Sequence, residues 1–226
     1  MFKTELHCHS NDVSACARVD VETITKRFID GGYSTIVLTN HLGDFTYDHL
    51  HATDWDSLVD AFVGGYKKLK AHAEGKLNIL LGMELRFKHN ANDYLVFGPD
   101  EEFLREHPFI YNMKVWEFHK ICQEKGYLLI QAHPFRNGMT VNAPHDIDGV
   151  EVFNGHKGHD SRNDIAEMWA DKYNLIKTSG TDFHYPDVPT NAGIMTECEI
   201  TSMTQLVEII KSGNYTLIRL GEYENN

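Results

Sequence analysis

The 226-residue sequence lacks the marks of several special classes of protein. Its 4 cysteines show no C-x-x-C pair, so a disulfide framework is not indicated. No apolar run approaches the roughly 18 residues that a membrane-spanning helix needs. The first residues also lack the apolar segment of a signal peptide. We therefore expect a cytoplasmic protein with no membrane partner.

Basic residues are scarce. The sequence has 21 Lys and Arg against 33 Asp and Glu, which gives a net charge of −12 with histidine neutral. A surface of this sign repels phosphate backbones at long range. We therefore expect no nucleic-acid partner, while the oligomeric state stays open.

Short apolar runs alternate with segments of helical period along the whole chain. Residues 35–39 (TIVLT) and 127–132 (YLLIQA) are typical of buried strands, whereas residues 55–74 carry the apolar stripe of a helix. Helices are also predicted at 21–30 and 203–212. No proline-rich linker interrupts the pattern, so residues 1–226 are expected to form one domain. Alternating strands and helices indicate a parallel sheet covered by helices, and the number of units favours an α/β barrel over an open sheet.

Polar side chains follow nearly every predicted strand. In parallel α/β folds, ligands bind at the carboxyl ends of the strands, so these side chains should meet on one face. The residues at those ends are His7, His9, His41, Glu84, His133, His156, Asp182 and His184.

The spacing of these residues suits divalent metal ions. His7 and His9 are two apart on an extended segment, so their side chains lie on the same side. Asp182 and His184 repeat that spacing, and Glu84 is a natural bridging carboxylate. Nitrogen and oxygen donors together favour Zn, Mn or Fe over Ca or Mg. The sequence therefore predicts a metal site with these cofactors.

Six motifs resemble the polymerase-and-histidinol-phosphatase (PHP) family of metal-dependent phosphoesterases. They are ELHCHS (5–10), TIVLTNH (35–41), GMEL (82–85), QAHPFR (131–136), GVEVFNGH (149–156) and SGTDFH (179–184). The resemblance spans about 180 of the 226 residues. It implies a distorted seven-stranded (β/α)7 TIM-like barrel that holds two or three metal ions at its carboxyl-end face.

The resemblance also implies a division of the ligands. One ion would be held by His7, His9, Glu84 and Asp182. Glu84 and His133 would share the second ion, and His41 with His184 would hold the third.

Three positions depart from the family pattern. Ala15 falls where the family often has a ligand of the third ion, and either Asp12 or Cys16 could replace it. Asn40 stands where an aspartate is common, and residues 92–98 lack a histidine that some members carry. A two-metal enzyme is therefore an alternative to a three-metal one.

The function implied is hydrolysis of a small phosphate ester by a metal-activated hydroxide, held between the ions that share Glu84. His184 or His156 would protonate the leaving group. Arg136 and Arg18 are candidates for binding the phosphate, since a guanidinium matches two phosphate oxygens. Two other functions stay open. They are a metal-dependent amidohydrolase, and a metal-binding domain of this family without turnover.

Overall fold

The computed structural model describes residues 1–220, within which the chain forms eleven strands and seven helices. The strands are β1 (Phe2–Cys8), β2 (Tyr33–Leu38), β3 (His41–Leu42), β4 (Asn78–Leu81), β5 (Met83–Arg86), β6 (Asp93–Phe97), β7 (Leu128–Gln131), β8 (Gly149–Asn154), β9 (Ile176–Gly180), β10 (Ala192–Thr196) and β11 (Thr216–Arg219). The helices are α1 (Val21–Asp30), α2 (Thr46–Leu50), α3 (Trp55–His72), α4 (Glu101–Glu106), α5 (Val115–Lys125), α6 (Asn163–Tyr173) and α7 (Met203–Ser212). None of these helices has the length and apolar character needed to span a bilayer.

The strands form two sheets with helices packed around them. One sheet has the order β11-β10-β1-β2-β4, and the other has the order β3-β5-β6-β7-β8-β9. The chain passes from β2 into β3, and from β4 into β5, after one or two residues, so these paths cross from one sheet to the other. A parallel bridge between Cys8 and Phe183 also joins β1 to the segment after β9. No single closed sheet is found within residues 1–220, and the seven-stranded barrel stays a prediction.

The expectation of an entirely parallel arrangement is wrong for two strands. Strand β6 runs antiparallel to both β5 and β7, and β10 runs antiparallel to both β1 and β11. Only six residues connect β5 to β6. A parallel crossover needs a dozen residues or more, so the short connection forces β6 to return antiparallel.

Local signals in the sequence account for the ends of several helices. Helix α1 begins where the Asp20 side chain accepts a hydrogen bond from the Thr23 N–H at 2.8 Å. Helix α3 begins at a reciprocal capping pair between Asp54 and Ser57. Helix α5 ends at Gly126, whose φ of 78° is the left-handed conformation that glycine adopts readily. These caps set helix lengths, while buried apolar faces hold the helices against the sheets.

Strand β1 is buried because it lies between β2 and β10 in the first sheet. Thr4 pairs with Thr35 on one side and with Ile194 on the other. The end of β9 also approaches β1 closely. If Gly180 carried a Cβ atom, that atom would lie 2.4 Å from the His7 Cβ. Only glycine fits there. The strand that carries the first predicted ligands is therefore enclosed by three neighbours.

Candidate metal centre

The predicted ligands converge where the strands end. His7 and His9 lie at the end of β1 and just beyond it, and Glu84 lies in β5. The other ligands lie in β3 or just after β7 and β9, and they are His41, His133, Asp182 and His184. All of these are buried except His41, which is partly exposed. The fold therefore encloses a dense group of imidazoles and carboxylates.

Glu84 lies at the centre of the group. Its Oε2 atom is 3.4 Å from His7 Nε2, 3.2 Å from His9 Nε2 and 2.9 Å from His41 Nδ1. Its Oε1 atom is 3.1 Å from His133 Nε2. The two carboxylate oxygens thus face different imidazoles, which is the arrangement of a bridging ligand.

Asp182 shares two of these imidazoles, His7 and His9, and also faces His184. Its Oδ1 atom is 3.3 Å from His7 Nε2, 3.5 Å from His9 Nε2 and 3.1 Å from His184 Nδ1. The backbone of Asp182 has a φ of 51°, and that of His133 has a φ of 28°. Such conformations cost energy in non-glycine residues and persist only where the surroundings enforce them. The chain therefore tolerates local strain to aim these two side chains.

Four sets of side chains place one ligand atom each within 4.8 Å of the others. They are His7–Glu84–His133, His7–His9–Asp182, His9–His41–His184 and His41–Glu84–Asp93. The buried atoms that face one another in these sets include several without a hydrogen-bond partner: His7 Nε2, His9 Nε2, His41 Nδ1, Glu84 Oε2 and Asp182 Oδ1. Buried polar atoms are normally satisfied. Their convergence without partners, in a set of nitrogen and oxygen donors, fits divalent metal ions.

The group is also strongly coupled electrostatically. Burial acts to raise the pKa of Glu84, but the charges of His41 and His7 hold it well below its usual range. Burial acts to lower the pKa of His41, but the Glu84 charge raises it to about 10. Burial, together with His184 and His41, lowers the pKa of His9 to about 3. The Glu84 carboxylate is therefore ionised at neutral pH, which is the form that binds a cation.

Glu151 holds two of the imidazole ligands in place. Its Oε1 atom is 2.9 Å from His7 Nδ1, and its Oε2 atom accepts a hydrogen bond from the His133 N–H at 2.9 Å. Oε2 also accepts from Asn154 Nδ2, which itself donates to Asp182 Oδ2. Residues that orient metal ligands in this way fix their tautomer and direction. The sequence reasoning missed Glu151, although a charged residue inside the predicted strand at 149–153 was a signal.

The structure shows which contacts the residues at 10–16 and 40 make, where the sequence departs from the family pattern. Asn40 Oδ1 accepts hydrogen bonds from the Ser10 N–H and the Ser14 hydroxyl, and Ser14 Oγ lies 3.2 Å from His9 Nδ1. Asn40 thus supports a ligand through Ser14. Asp12 pairs with Lys68 at 2.5 Å, whereas Cys16 Sγ lies 3.1 Å from His184 Nε2.

A cavity of about 410 Å³ opens above the ligands. Arg136 lines it, and so does Arg86. Asp93 holds both guanidinium groups: it lies 2.6 Å from Arg86 Nε and 3.3 Å from Arg136. Arg18 is not among the lining residues, because its guanidinium donates to the carbonyls of Ala15 and Ala17.

His156 also lines the cavity. Its ring stacks on that of His159 at 4.8 Å and lies 5.8 Å from the ring of His184. His159 lines the cavity too, and its Nε2 atom is 3.6 Å from Asp182 Oδ2. The sequence suggested no role for His159, because a polar loop gives no periodic signal. The structure therefore adds His159, Asp93 and Glu151 to the predicted group.

Comparison with solved structures supports the fold. No family model and no curated protein sequence matches this chain. A two-domain protein from Bacteroides vulgatus, containing a predicted PHP-like metal-dependent phosphoesterase, aligns with a TM-score of 0.62 and 15% identity over 96% of this chain and 64% of its own. An amidohydrolase from Chromobacterium violaceum with bound sulfate and no metal aligns with a TM-score of 0.56 and 14% identity, over 99% and 100% of the two chains. The chain therefore has the fold of PHP-like metal-dependent hydrolases, and the predicted resemblance is confirmed at that level.

A third solved structure corrects the expectation about nucleic acid. Endonuclease Q, in complex with a 27-mer duplex that has an abasic lesion at the active site, aligns with a TM-score of 0.61 and 15% identity, over 93% of this chain and 56% of its own. The expected exclusion of nucleic acid is therefore wrong. That expectation failed because net charge sums over the whole surface, whereas phosphate recognition depends on local charge. In this protein Arg86 and Arg136 line the cavity.

Proposed function

We propose that this chain is a metal-dependent phosphoesterase that hydrolyses a small phosphate ester. One observation carries the proposal: buried, unpartnered imidazole and carboxylate atoms converge beneath a cavity that two arginines line. Such a site combines cation ligands with groups that bind a phosphate. The fold shared with a predicted PHP-like phosphoesterase agrees with this function.

The proposed ligands divide into three sets. His7, His9, Glu84 and Asp182 hold one ion, Glu84 and His133 share a second, and His41 with His184 holds a third. Zn, Mn and Fe match these donors. When bound, such ions lower the pKa of a coordinated water molecule and neutralise the charge of the phosphate.

The chain's own side chains bind and orient the ester. Arg136 and Arg86 present planar donors at the cavity, and the carboxylate of Asp93 fixes both guanidinium groups. Bidentate donors of this kind match phosphate oxygens. Since Arg18 lies outside the lining, we assign the phosphate to Arg136 and Arg86 instead.

His156 is the better placed of the two predicted proton donors. Both ring nitrogens of His184 are engaged, Nδ1 by Asp182 and Nε2 by Cys16. His156 Nδ1 accepts a hydrogen bond from the Gly158 N–H at 2.8 Å, which leaves Nε2 for the substrate. We therefore assign His156 a hydrogen bond from its Nε2–H to the leaving oxygen, where it stabilises the negative charge that develops.

Metal content and a substrate panel test the proposal together. Wild-type protein, Glu84→Gln and the control Glu124→Gln, an exposed glutamate of α5, are reconstituted with Zn, Mn or Fe and analysed by mass spectrometry. The panel contains phosphomonoesters, phosphodiesters, an abasic DNA duplex and amides. We expect bound metal and phosphate release in wild type and in the control, with loss of both in Glu84→Gln.

The other results would each overturn the proposal in a different way. Cleavage of amides alone would favour the amidohydrolase alternative. Metal binding without turnover of any substrate would favour a binding domain. Cleavage of DNA alone would replace the small ester as the substrate class. Less than one metal ion per chain in wild type would remove the metal centre itself.

A further inference from the structure

We propose that Cys16 is a thiolate ligand of the ion that His41 and His184 hold, which makes this position chemically different from the carboxylate-rich position beside Asp182. The inference rests on the proposed metal centre and concerns how one part of it selects its ion. The sequence left Asp12 and Cys16 as alternatives at this position, and Asp12 pairs with Lys68 instead.

The contact between Cys16 and His184 is direct. The Cys16 Sγ atom lies 3.1 Å from His184 Nε2, and the thiol also interacts with the His41 side chain. His184 Nδ1 lies 3.0 Å from the backbone carbonyl of Asp182, to which it donates. Nε2 is therefore the ring atom that faces the sulfur. A cation between Sγ and Nε2 would replace the proton that these two atoms share, and that proton would pass to solvent.

The backbone fixes Cys16 in this place. The Arg18 N–H donates to the His184 carbonyl at 2.8 Å, which ties the loop to the segment that carries His184. The Ser14 N–H donates to the Ser10 carbonyl at 2.9 Å, and the Ala17 N–H donates to the Ser14 carbonyl at 3.0 Å. The loop is thus a hydrogen-bonded turn anchored at both ends, and it presents the thiol at the cavity wall.

A second observation points independently to a ligand at this position. The buried Nδ1 atom of His41 has no hydrogen-bond partner. The His9 ring lies 4.1 Å from that of His184 and 4.5 Å from that of His41. The ligand atoms of these three histidines lie within 4.8 Å of one another. Cys16 Sγ, 3.1 Å from His184 Nε2, adjoins this set.

The donor set predicts which metal is preferred. A soft thiolate beside imidazoles favours Zn²⁺, and also Co²⁺, over the harder Mn²⁺ and Mg²⁺. The position between His7 and Asp182 contains carboxylate oxygens and no sulfur, so it accepts harder ions as well. The two positions should therefore differ in selectivity within one cavity.

Cobalt spectroscopy tests the inference with the cobalt(II) ion alone as probe. A thiolate bound to cobalt gives a charge-transfer absorption in the near ultraviolet, whereas cobalt on imidazoles and carboxylates gives only visible bands. We expect both absorptions in wild type and in Cys198→Ser, whose thiol is exposed and is not among the residues that line the cavity. Cys16→Ser should lose the ultraviolet band and keep the visible ones.

A second substitution distinguishes a ligand from a structural residue. Cys16→Asp supplies a harder ligand at the same place, so the number of bound ions should be retained while competition between Zn²⁺ and Mn²⁺ shifts toward Mn²⁺. Cys16→Ser should bind about one zinc ion fewer per chain. Circular dichroism and thermal melting of each variant establish that the fold is intact.

The possible failures separate the inference from the proposed function. An ultraviolet band that persists in Cys16→Ser, or is missing in cobalt-loaded wild type, overturns the thiolate ligand and leaves the metal centre in place. If wild type binds no cobalt and no zinc, the metal centre and the role of Cys16 both fail.

Discussion

The floor and the rim of the cavity are built differently. The floor comprises His7, His9, Glu84, His133 and Asp182, all buried, and the rim comprises Cys16, Arg86, Arg136, His156 and His159. Floor side chains come from strands or the residues directly after them, and Glu151, Asn154 and Ser14 fix them. Rim side chains come mostly from loops and are partly exposed.

This difference separates two tasks. A metal position needs several donors held together before the ion arrives, because each donor that must reorient weakens binding. A substrate position needs groups that reach solvent and can differ from one protein to another without loss of the fold. The floor is therefore the place to test metal binding, and the rim is the place to test which ester is bound.

The largest expected effect comes from the floor. Asp182→Asn removes a carboxylate that faces three imidazoles, so activity should fall on the order of 1,000-fold. Metal content by mass spectrometry should fall with it. Asp187→Asn, an exposed neighbour, is the control and should behave as wild type. Full activity in Asp182→Asn would contradict the assignment of the floor as a metal position.

Acid should weaken metal binding. The pKa of His41 is raised to about 10 and that of His184 to about 11, so both rings are protonated at neutral pH before metal binds. Each must lose a proton to become a ligand, so affinity rises with pH up to about 10. Release of two protons gives a change of about 100-fold per pH unit. Calorimetry in buffers of different ionisation enthalpy counts the protons, and no release would refute this prediction.

Glu151→Gln tests the support beneath the floor. Glutamine keeps the size of the side chain but cannot accept hydrogen bonds at both oxygens from His7, His133 and Asn154. Metal affinity should fall about 10- to 100-fold while the fold persists. Competition with a chelator measures this affinity, and Glu208→Gln on the exposed face of α7 provides the matched control.

The smallest effect is expected at the rim. Arg136→Met should raise KM for the ester about 10-fold and leave metal content unchanged, because the guanidinium lines the cavity and contacts none of the floor histidines. Arg18→Met should change KM little, since the Arg18 guanidinium donates to backbone carbonyls and does not line the cavity. A larger rise in KM for Arg18→Met would reverse the two assignments.

Long periodic elements could be predicted from the sequence, whereas short ones could not. Helices α1 and α7 begin and end at the predicted residues, because a polar cap and a terminal glycine bracket an apolar stripe in each. Helices α2 and α4 and strands β3 and β5 were missed. They span two to six residues, too few for a period to emerge.

The predicted ligands converge, as expected, because strand ends in this fold meet on one face. The supporting contacts were harder to foresee, since Glu151 acts on His7 across 144 residues of sequence. Strand β6 runs antiparallel because only six residues connect it to β5, and this depends on the length of the connection more than on its composition. Contacts of this range depend on the assembled fold and leave no local pattern.

The place of β1 between β2 and β10 determines when the floor can exist during synthesis. Strand β1 is synthesised early relative to its partner β10 and to Asp182 and His184, which follow it by more than 170 residues. Contacts so distant in sequence form slowly, and large domains pass through partly folded states before making them. A nascent chain therefore has His7 and His9 without the Asp182 carboxylate until that later segment has been synthesised. The complete group of buried imidazoles and carboxylates therefore exists only after that segment has been added.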